Sequence, residues 1–501
     1  LLSVGSAQAT LALFPDDASA AKGLADIVSN PAVLAMYGPI SAANADALAV
    51  FKTVMMGAVL TAILALVVVR RHTRTEEEEG RLELVGAGAV GRWAPLAAGV
   101  VVALVAVVAA SALSALGMVA IGMDPMGSVA FGAAWLTAGV AQVGVTAVAV
   151  QLASTTRGAG GLAFGFLGVT YILRAWADAA ESDAIGWLGW LSPLGWAGRV
   201  EPFGEDRMWV LLLGFGVLVA GVAVALVVLE RRDLGAGIIP ARLGPERARP
   251  ILSSPLGLVS RLAVGTVIGW VVGLVVGGVV IGSLLSAVSA LVDNPQIQQF
   301  LEALAGTAGT VEDIFLATET RFIAAAVAAA GIALVLRLGA AERSGLGEAV
   351  LTTPTSRREW YLSHVAVGVG ATTLFMAVVG ATVGIVGPMA SAGAPGFGAT
   401  VGAFLSTLPA IWVLVGAAAF LVGWRPRFAP FAWALLLVGF VVAELGPSMD
   451  LPQWAMDLSP FTHLSRLPGG EFAALAAAVM TAVAAALVAT GGVAYRTRDA
   501  A

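Results

Sequence analysis

The 501-residue chain contains no cysteine, only three histidines and, with Lys22 and Lys52, only two lysines. Charged residues make up 12 % of it, whereas an ordinary soluble domain has roughly 25 %. The lack of cysteine excludes disulfides, thiol nucleophiles and cysteine metal sites, and with so few histidines we expect no metal site. The net charge of −5 is spread over many loops and indicates no nucleic-acid partner.

The sequence also lacks the features of a nucleotide-hydrolysing domain. No Gly-x-x-x-x-Gly-Lys-Ser/Thr phosphate loop occurs. No polar stretch is long enough to form a nucleotide-binding domain. If ATP drives this protein, the ATPase is therefore another polypeptide, and we expect this chain to be no enzyme and to hold no cofactor itself.

What the chain has in abundance is apolar sequence, with 59 % hydrophobic residues and 61 glycines. A bilayer-spanning helix needs about 20 mostly apolar residues, and the runs here are continuous rather than alternating. We predict an all-α integral membrane protein with twelve transmembrane helices. The apolar runs are 1–14, 49–70, 94–122, 128–154, 160–176, 208–229, 263–291, 320–338, 361–388, 398–423, 430–446 and 473–495. The run at 1–14 is interpreted as the distal part of a first span, with a cleaved signal peptide as the alternative.

Several motifs occur twice in nearly one register. Asn30-Pro31 recurs as Asn294-Pro295, and Leu191-Ser192-Pro193 with Arg199 recurs as Leu458-Ser459-Pro460 with Arg466. Glu77, Gly80, Glu83 and Arg92 recur as Glu342, Gly345, Glu348 and Arg357. The separations are close to 265 residues throughout. We therefore predict two tandem six-helix repeats, 1–229 and 263–501, joined by a linker at 230–262.

The distribution of arginine and lysine predicts the orientation. With both termini in the cytoplasm, 20 of the 27 basic residues fall in inner segments. This is a strong positive-inside bias. Segments 71–93 and 339–360 are then cytoplasmic connections, 230–262 is a cytoplasmic linker, and 177–207 and 447–472 are outer connections.

The two inner connections are candidate docking elements for a partner. Each is predicted to form a short amphipathic helix along the membrane surface, with Glu77 and Glu83 facing outward. A solvated loop is the simpler interpretation, but a loop does not need the same Glu-Gly-Glu-Arg spacing twice. The candidate coupling residues are Glu77, Glu78, Gly80, Arg81, Glu83, Arg92, Glu342, Gly345, Glu348 and Arg357.

The outer connections are apolar, interrupted by proline and too short to span. They are typical of helices that dip back into the membrane, although an aromatic belt anchoring an ordinary loop is the alternative. The candidate gate residues are Trp187, Pro193, Trp196 and Pro460.

Ionisable residues within the runs are few and form no buried acid–histidine ladder that could relay protons. Arg174 and Asp178 lie near the outer end of one span and Glu444 near that of another. Gln142 is expected to make a hydrogen bond between helices.

These features together resemble a duplicated permease of the type-2 ABC exporter class. The closest likeness is to the actinobacterial family named for tetronasin and other polyketide antibiotics. The likeness covers almost the whole first half in order and the second half more faintly. The residues that carry it are Asn30-Pro31, Tyr37-Gly38-Pro39, Arg71-His72-Thr73-Arg74, Glu77, Gly80, Arg81, Glu83, Tyr171-Ile172-Leu173-Arg174, Leu191-Ser192-Pro193-Leu194-Gly195-Trp196 and Arg231-Arg232-Asp233-Leu234-Gly235-Ala236-Gly237.

The resemblance implies coupling helices inside, re-entrant helices outside, and a bacterial cytoplasmic membrane. It implies a separate ATPase docked as two copies, which binds ATP and Mg, and export of small amphiphilic compounds such as drugs and antibiotics. It also implies that the second and fifth spans of each half line the pathway. The candidate pathway residues are Met55, Met56, Phe164, Phe166, Tyr171, Arg174, Phe322, Phe431, Trp433 and Glu444.

Two other functions remain open at this point. A secondary drug/proton antiporter also has six plus six spans, but it needs an intramembrane acid relay. A membrane protein that binds or signals without transport, or a scramblase, is the third possibility.

Overall fold

A computed structural model describes residues 2–14, 16–18, 20–21, 24, 31–179, 183–233, 235–239, 246–247, 250–290, 310–446 and 451–498. Within these ranges the chain is helical and has no β-strand; an isolated bridge joins Ala153 to Ile239. Asn30, Leu234, Asn294 and Pro295, which entered the sequence comparison, lie outside the described residues.

The chain divides into two compact units, Leu1–Gly244 (unit 1) and Pro245–Ala501 (unit 2). The helices of unit 1 are α1 Leu2–Leu13, α2 Pro31–Tyr37, α3 Ala45–Arg70, α4 Arg81–Gly86, α5 Ala94–Ala120, α6 Pro125–Leu152, α7 Thr156–Ala179, α8 Asp183–Gly186, α9 Pro193–Arg199 and α10 Leu211–Arg231. A π-helical turn, Arg71–Thr75, and the short helix Glu76–Glu78 extend α3, and a 3₁₀ turn at Trp187–Leu191 precedes α9.

Unit 2 contains a similar series of long and short helices. They are α11 Pro255–Ala290, α12 Val311–Arg343, α13 Leu346–Leu351, α14 Arg357–Ala390, α15 Phe397–Ser406, α16 Leu408–Trp424, α17 Phe431–Leu445, α18 Gln453–Met456 and α19 Ala474–Thr497. A 3₁₀ turn at Pro460–His463 lies between the last two.

Eleven helical segments among the described residues are long and apolar enough to cross a membrane, five in unit 1 and six in unit 2. The predicted twelfth, at 1–14, is the 12-residue helix α1, which falls short of the roughly 20 residues that a span needs. The structure thus supports a multi-pass membrane protein without reaching the predicted count. The predicted run at 398–423 is two helices, α15 and α16, which meet near Pro409.

Close contact between backbones holds the long helices together. In unit 1, α6 is mostly buried and packs against α3, α5, α7 and α10. A Cβ built on Gly221 of α10 would lie 2.5 Å from the carbonyl oxygen of Gly144 on α6, so only glycine fits at this crossing. Gly423 of α16 and Gly491 of α19 make the corresponding approach in unit 2, where the Cβ distance would be 2.3 Å. Small residues at helix crossings are typical of membrane helices.

Candidate functional site

A buried ionic network lies where the 71–93 connection of unit 1 meets the end of α10. The carboxylate of Glu77 accepts hydrogen bonds from Arg74 at 2.8 Å, from Arg232 at 2.6 and 2.8 Å, and from the backbone N–H of Gly235 at 2.7 Å. The side chains of Arg74, Glu77 and Arg232 are 1 %, 5 % and 6 % exposed. Arg92 donates a further hydrogen bond to the backbone carbonyl of Arg232. Arg74, Glu77, Arg92 and Arg232 are called the unit 1 clamp below.

Further hydrogen bonds donated by Arg74 and Arg232 fix the chain that follows α10. Arg232 donates through Nε to Gln151 of α6 at 2.7 Å, and both Arg74 and Arg232 donate to the carbonyl of Ala236. The N–H of Ile239 then donates to the carbonyl of Leu152. The first residues of the predicted linker are therefore held against unit 1.

Unit 2 has a smaller, related arrangement at the recurring positions. Glu342 forms an ion pair with Arg498, which directly follows α19, and Arg357 donates to the carbonyl of Arg498 at 2.7 Å. Glu342, Arg357 and Arg498 are called the unit 2 clamp. It is more open than the first, because Arg498 and Glu342 are 17 % and 26 % exposed.

These contacts change the interpretation of the recurring Glu-Gly-Glu-Arg spacing. The expectation that Glu77 faces outward is wrong, because the two arginines draw its carboxylate inward. Gly80 and Gly345 both have a positive φ, 74° and 73°, which favours glycine in the turn before the short helix. The glutamate and the arginine of the motif therefore make contacts inside each unit, and the glycine fits the turn; their role in coupling stays a prediction.

The second glutamate of the motif behaves differently. Glu83 on α4 and Glu348 on α13 are exposed, as is Arg81, which pairs with Glu76 and Glu79. Glu78 accepts a hydrogen bond from the N–H of Thr156 and so caps α7. Of the ten coupling candidates, Arg81, Glu83 and Glu348 are the charged ones whose side chains face solvent without serving as a clamp or cap.

At the opposite end, the recurring Leu-Ser-Pro motif joins each predicted outer connection to the preceding long helix. Ser192 Oγ donates to the carbonyl of Thr170 on α7 at 2.8 Å, and Ser459 Oγ donates to that of Gly439 on α17 at 2.7 Å. Both serines are also N-caps. Among the gate candidates, Pro193 and Trp196 are buried, Pro460 is half-buried and Trp187 is 56 % exposed.

Two pathway candidates serve a packing role in unit 1. Arg174, which is fully buried, pairs with Asp178 at 3.1 Å and donates to the carbonyl of Met36 on α2. The hydroxyl of Tyr171 donates to the same carbonyl at 3.1 Å. These contacts hold α2 against α7. The guanidinium of Arg174 is therefore not on the surface, where a substrate could reach it.

The other pathway candidates are mostly on the surfaces of their units. Met55 is buried, and Glu444 is partly exposed and lies 3.4 Å from Arg321. The exposed ones are Met56, Phe164, Phe166, Phe322, Phe431 and Trp433. Their contact with a substrate stays a prediction.

A small charged cluster follows α9. Arg207 pairs with Glu201 at 2.7 Å and with Glu205 at 2.8 Å. Burial raises the pKa of Glu201 above its ordinary value, although Arg207 partly opposes the shift. The hydrogen bond from Arg207 lowers the pKa of exposed Glu205.

Sequence reasoning located some of these residues and missed others. The predicted interhelical hydrogen bond of Gln142 is confirmed, since its amide donates to the carbonyl of Ala163 on α7 at 3.2 Å. Arg232 and Arg498 were not predicted as partners of Glu77 and Glu342. The sequence does contain a signal for these two arginines, because each lies directly after the last long helix of its unit.

The part of the chain that the structure describes is helical, and its eleven long apolar helices are those of a multi-pass membrane protein. The chain matches the family model described as "Multidrug efflux system permease Rv1217c, C-terminal domain" over residues 7–229 and 252–496. It is 36 % identical over 490 residues to the multidrug efflux system permease protein Rv1217c of Mycobacterium tuberculosis, a match that covers 97 % of this chain and 88 % of that protein. The chain belongs to this family of multidrug efflux permeases.

Proposed function

We propose that this chain is the permease subunit of an ATP-driven exporter of the type-2 ABC class. It moves hydrophobic and amphiphilic compounds out across the bacterial cytoplasmic membrane by alternating access, with both termini in the cytoplasm. The observation that carries the proposal is the similarity to a multidrug efflux permease along nearly the whole chain. Because the sequence has no phosphate loop, the proposal assigns ATP and Mg to a separate ATPase, docked as two copies.

The clamps offer a physical route by which such an ATPase could move the permease. Glu83 and Glu348 present carboxylates on short helices that lie beside the clamps. A force on α4 reaches the end of α10 through Glu77 and Arg232, and a force on α13 reaches the end of α19 through Glu342 and Arg498. Positive charge on a partner would bind the exposed acids Glu83 and Glu348. Movement of α4 and α13 with the partner would then pull on the clamp residues Glu77 and Glu342.

Reversal of the two exposed acids tests the docking step. In the variant Glu83→Arg/Glu348→Arg, we expect co-purification of the ATPase with the permease to fall at least tenfold, because attraction becomes repulsion at the interface. Glu205→Arg, which reverses an exposed acid at the opposite end of unit 1, is the matched control and should retain the ATPase. Full retention by the double reversal would remove α4 and α13 from the proposed interface.

Reconstitution tests the energy source. Proteoliposomes that contain the chain and its ATPase should export a lipophilic dye on addition of ATP, and they should continue when a protonophore collapses the pH gradient. Liposomes with the chain alone should not respond to ATP. Dye transport by the chain alone that follows a pH gradient would refute the ABC proposal and favour the proton antiporter.

A further inference from the structure

A stack of three aromatic rings lies where α16 meets α17 in unit 2. Trp424 is the last residue of α16, and it stacks on Phe420, one turn before it, and on Phe428, in the 3₁₀ turn that precedes α17. The ring centres of Phe420 and Trp424 are 5.9 Å apart, those of Trp424 and Phe428 are 5.5 Å apart, and both pairs are nearly parallel. Trp424 is 45 % exposed, so the stack reaches the surface of the unit. Residues 424–428 are called the α16–α17 turn below.

Two arginines of the α16–α17 turn lie against this stack. The guanidinium carbon of Arg425 is 5.4 Å from the ring centre of Trp424, and that of Arg427 is 4.8 Å from the ring centre of Phe428. Both arginines are exposed, and neither side chain makes a hydrogen bond or an ion pair with any residue that the structure describes. A cation–π contact uses the charge of the guanidinium and none of its N–H groups. The N–H donors of both arginines are therefore available to a ligand.

The length of the turn places it at a membrane surface. Phe397–Trp424 and Pro426–Glu444 are both long and apolar enough to cross a membrane, and a single residue, Arg425, separates the two segments. Two spans joined so closely turn back where the hydrocarbon region ends. Tryptophan is enriched at this level of a membrane, and an arginine side chain can extend from it to the lipid headgroups.

The corresponding turn of unit 1, between α6 and α7, differs in its rings and in its charge. Residues 152–158 contain one arginine, Arg157, and no aromatic residue. Glu78 accepts a hydrogen bond from the N–H of Thr156 at 2.7 Å, which brings a carboxylate to this turn. The residue of unit 2 that corresponds to Glu78 in the recurring register is an exposed arginine, Arg343. The positive charge of the α16–α17 turn thus has no counterpart in unit 1.

We propose that the α16–α17 turn binds the phosphate of an anionic phospholipid in the leaflet that it faces, and that the turn of unit 1 does not. The N–H groups of an arginine fit two oxygens of one phosphate. The charges of Arg425 and Arg427 favour an acidic lipid over a zwitterionic one, because no carboxylate among the described residues pairs with them. Glu342, which precedes Arg343, is already paired with Arg498.

This lipid is a bound partner of the fold and not the exported compound. The ring stack would lie beside its glycerol and acyl region, where aromatic side chains are common. In the proposed orientation the lipid belongs to the cytoplasmic leaflet, so the inference goes beyond the proposed function and does not depend on the energy source or on the cargo.

The test uses native mass spectrometry of the purified full-length chain in detergent, titrated with phosphatidylglycerol or with phosphatidylcholine. We expect the wild type to bind phosphatidylglycerol more tightly. In Arg425→Gln/Arg427→Gln, the Kd for the first phosphatidylglycerol should rise about tenfold, because two charges near the headgroup are lost. Arg157→Gln/Arg231→Gln removes two exposed arginines from the predicted cytoplasmic side of unit 1, and it should bind this lipid as the wild type does.

A third variant separates the loss of charge from a defect in folding. Arg425→Lys/Arg427→Lys keeps both charges but not the planar guanidinium groups, and we expect it to bind phosphatidylglycerol with an affinity between those of the wild type and the glutamine variant. A lysine variant as weak as the glutamine variant would overturn the role of the two charges.

Four other results would overturn the proposal. The first is wild-type affinity for phosphatidylglycerol in the glutamine variant, including the case in which that variant loses only the ATPase, since the turn would then contact a protein. The second is an equal loss in the unit 1 control, which would indicate general attraction to a basic surface. The third is equal affinity of the wild type for the two lipids. The fourth is displacement of the lipid by millimolar inorganic phosphate, which would assign the turn to a free anion.

Discussion

At the scale of single residues, Glu77 is the central carboxylate of the unit 1 clamp, which is the more buried of the two clamps. Two guanidinium groups and one backbone N–H share its carboxylate, and the side chains of Glu77 and of both arginines are almost fully buried. Removing one partner of a buried ion pair leaves the other charge without compensation. The side chain of Glu77 therefore matters to folding in a way that exposed Glu83, six residues later, does not.

We predict that Glu77→Gln lowers the free energy of unfolding by about 3–5 kcal/mol, since it leaves Arg74 and Arg232 buried without a counter-charge. Glu83→Gln, the same substitution on an exposed side chain, should stay within about 0.5 kcal/mol of the wild type. Unfolding of both variants by a denaturing detergent in mixed micelles provides the comparison. Equal stability of the two variants would mean that the network contributes nothing to the fold.

The sequence predicted that Glu77, Gly80, Arg92 and their counterparts matter together, but it did not predict what they contact. Spacing within one connection is a local signal, whereas Arg232 is 155 residues away from Glu77. The pattern predicts a partner, and the structure adds contacts of Glu77, Arg92, Glu342 and Arg357 inside each unit. Of the two glutamates that were predicted to face outward, Glu83 does so and Glu77 does not.

At the scale of helices, packing depends on a few glycines at crossings. The Cβ of an alanine at position 221 would lie 2.5 Å from the backbone of α6, whereas nothing lies within 4 Å of one at position 216 on the same helix. The two glycines thus differ in environment while they share the same helix.

We predict that Gly221→Ala destabilises unit 1 by about 1–3 kcal/mol, because α10 must move away from α6. Gly216→Ala is the control, and it should be neutral or slightly stabilising, because alanine favours a helix more than glycine does. Melting temperatures of the two variants in the same detergent measure the difference. A tolerated Gly221→Ala would show that the crossing is loose.

Most helix boundaries could be predicted from the sequence to within a few residues, because apolar runs of this length have few alternatives in lipid. The run at 398–423 was predicted as one helix, but Pro409 has no N–H to donate and α16 begins anew beside it. The start of α11 was predicted eight residues late. Ser254, Pro255 and Arg261 interrupt the apolar sequence there, so the apolar run appears to begin only after them.

At the scale of the whole molecule, the proposed orientation places both clamps on one side of the membrane. We predict that an impermeant maleimide added to intact cells labels Glu205→Cys and spares Glu83→Cys and Glu348→Cys. The chain has no cysteine of its own, so the background is free of native thiols. The reverse pattern would invert the topology, and labelling of all three would place the two sets of connections on the same side.

The different exposure of the two clamps has a consequence for ionic strength. Mobile ions screen the half-open pair Glu342–Arg498, but they have little access to Glu77 between its two arginines. We therefore expect hydrogen exchange in 341–351 to accelerate several-fold between 0.1 M and 1 M salt, while exchange in 235–239, where the N–H of Gly235 donates to Glu77, changes little. An equal response of both segments would contradict this. If the segments respond as expected, the two halves of the permease loosen in a fixed order, and the connection that follows α10 is the last to be released.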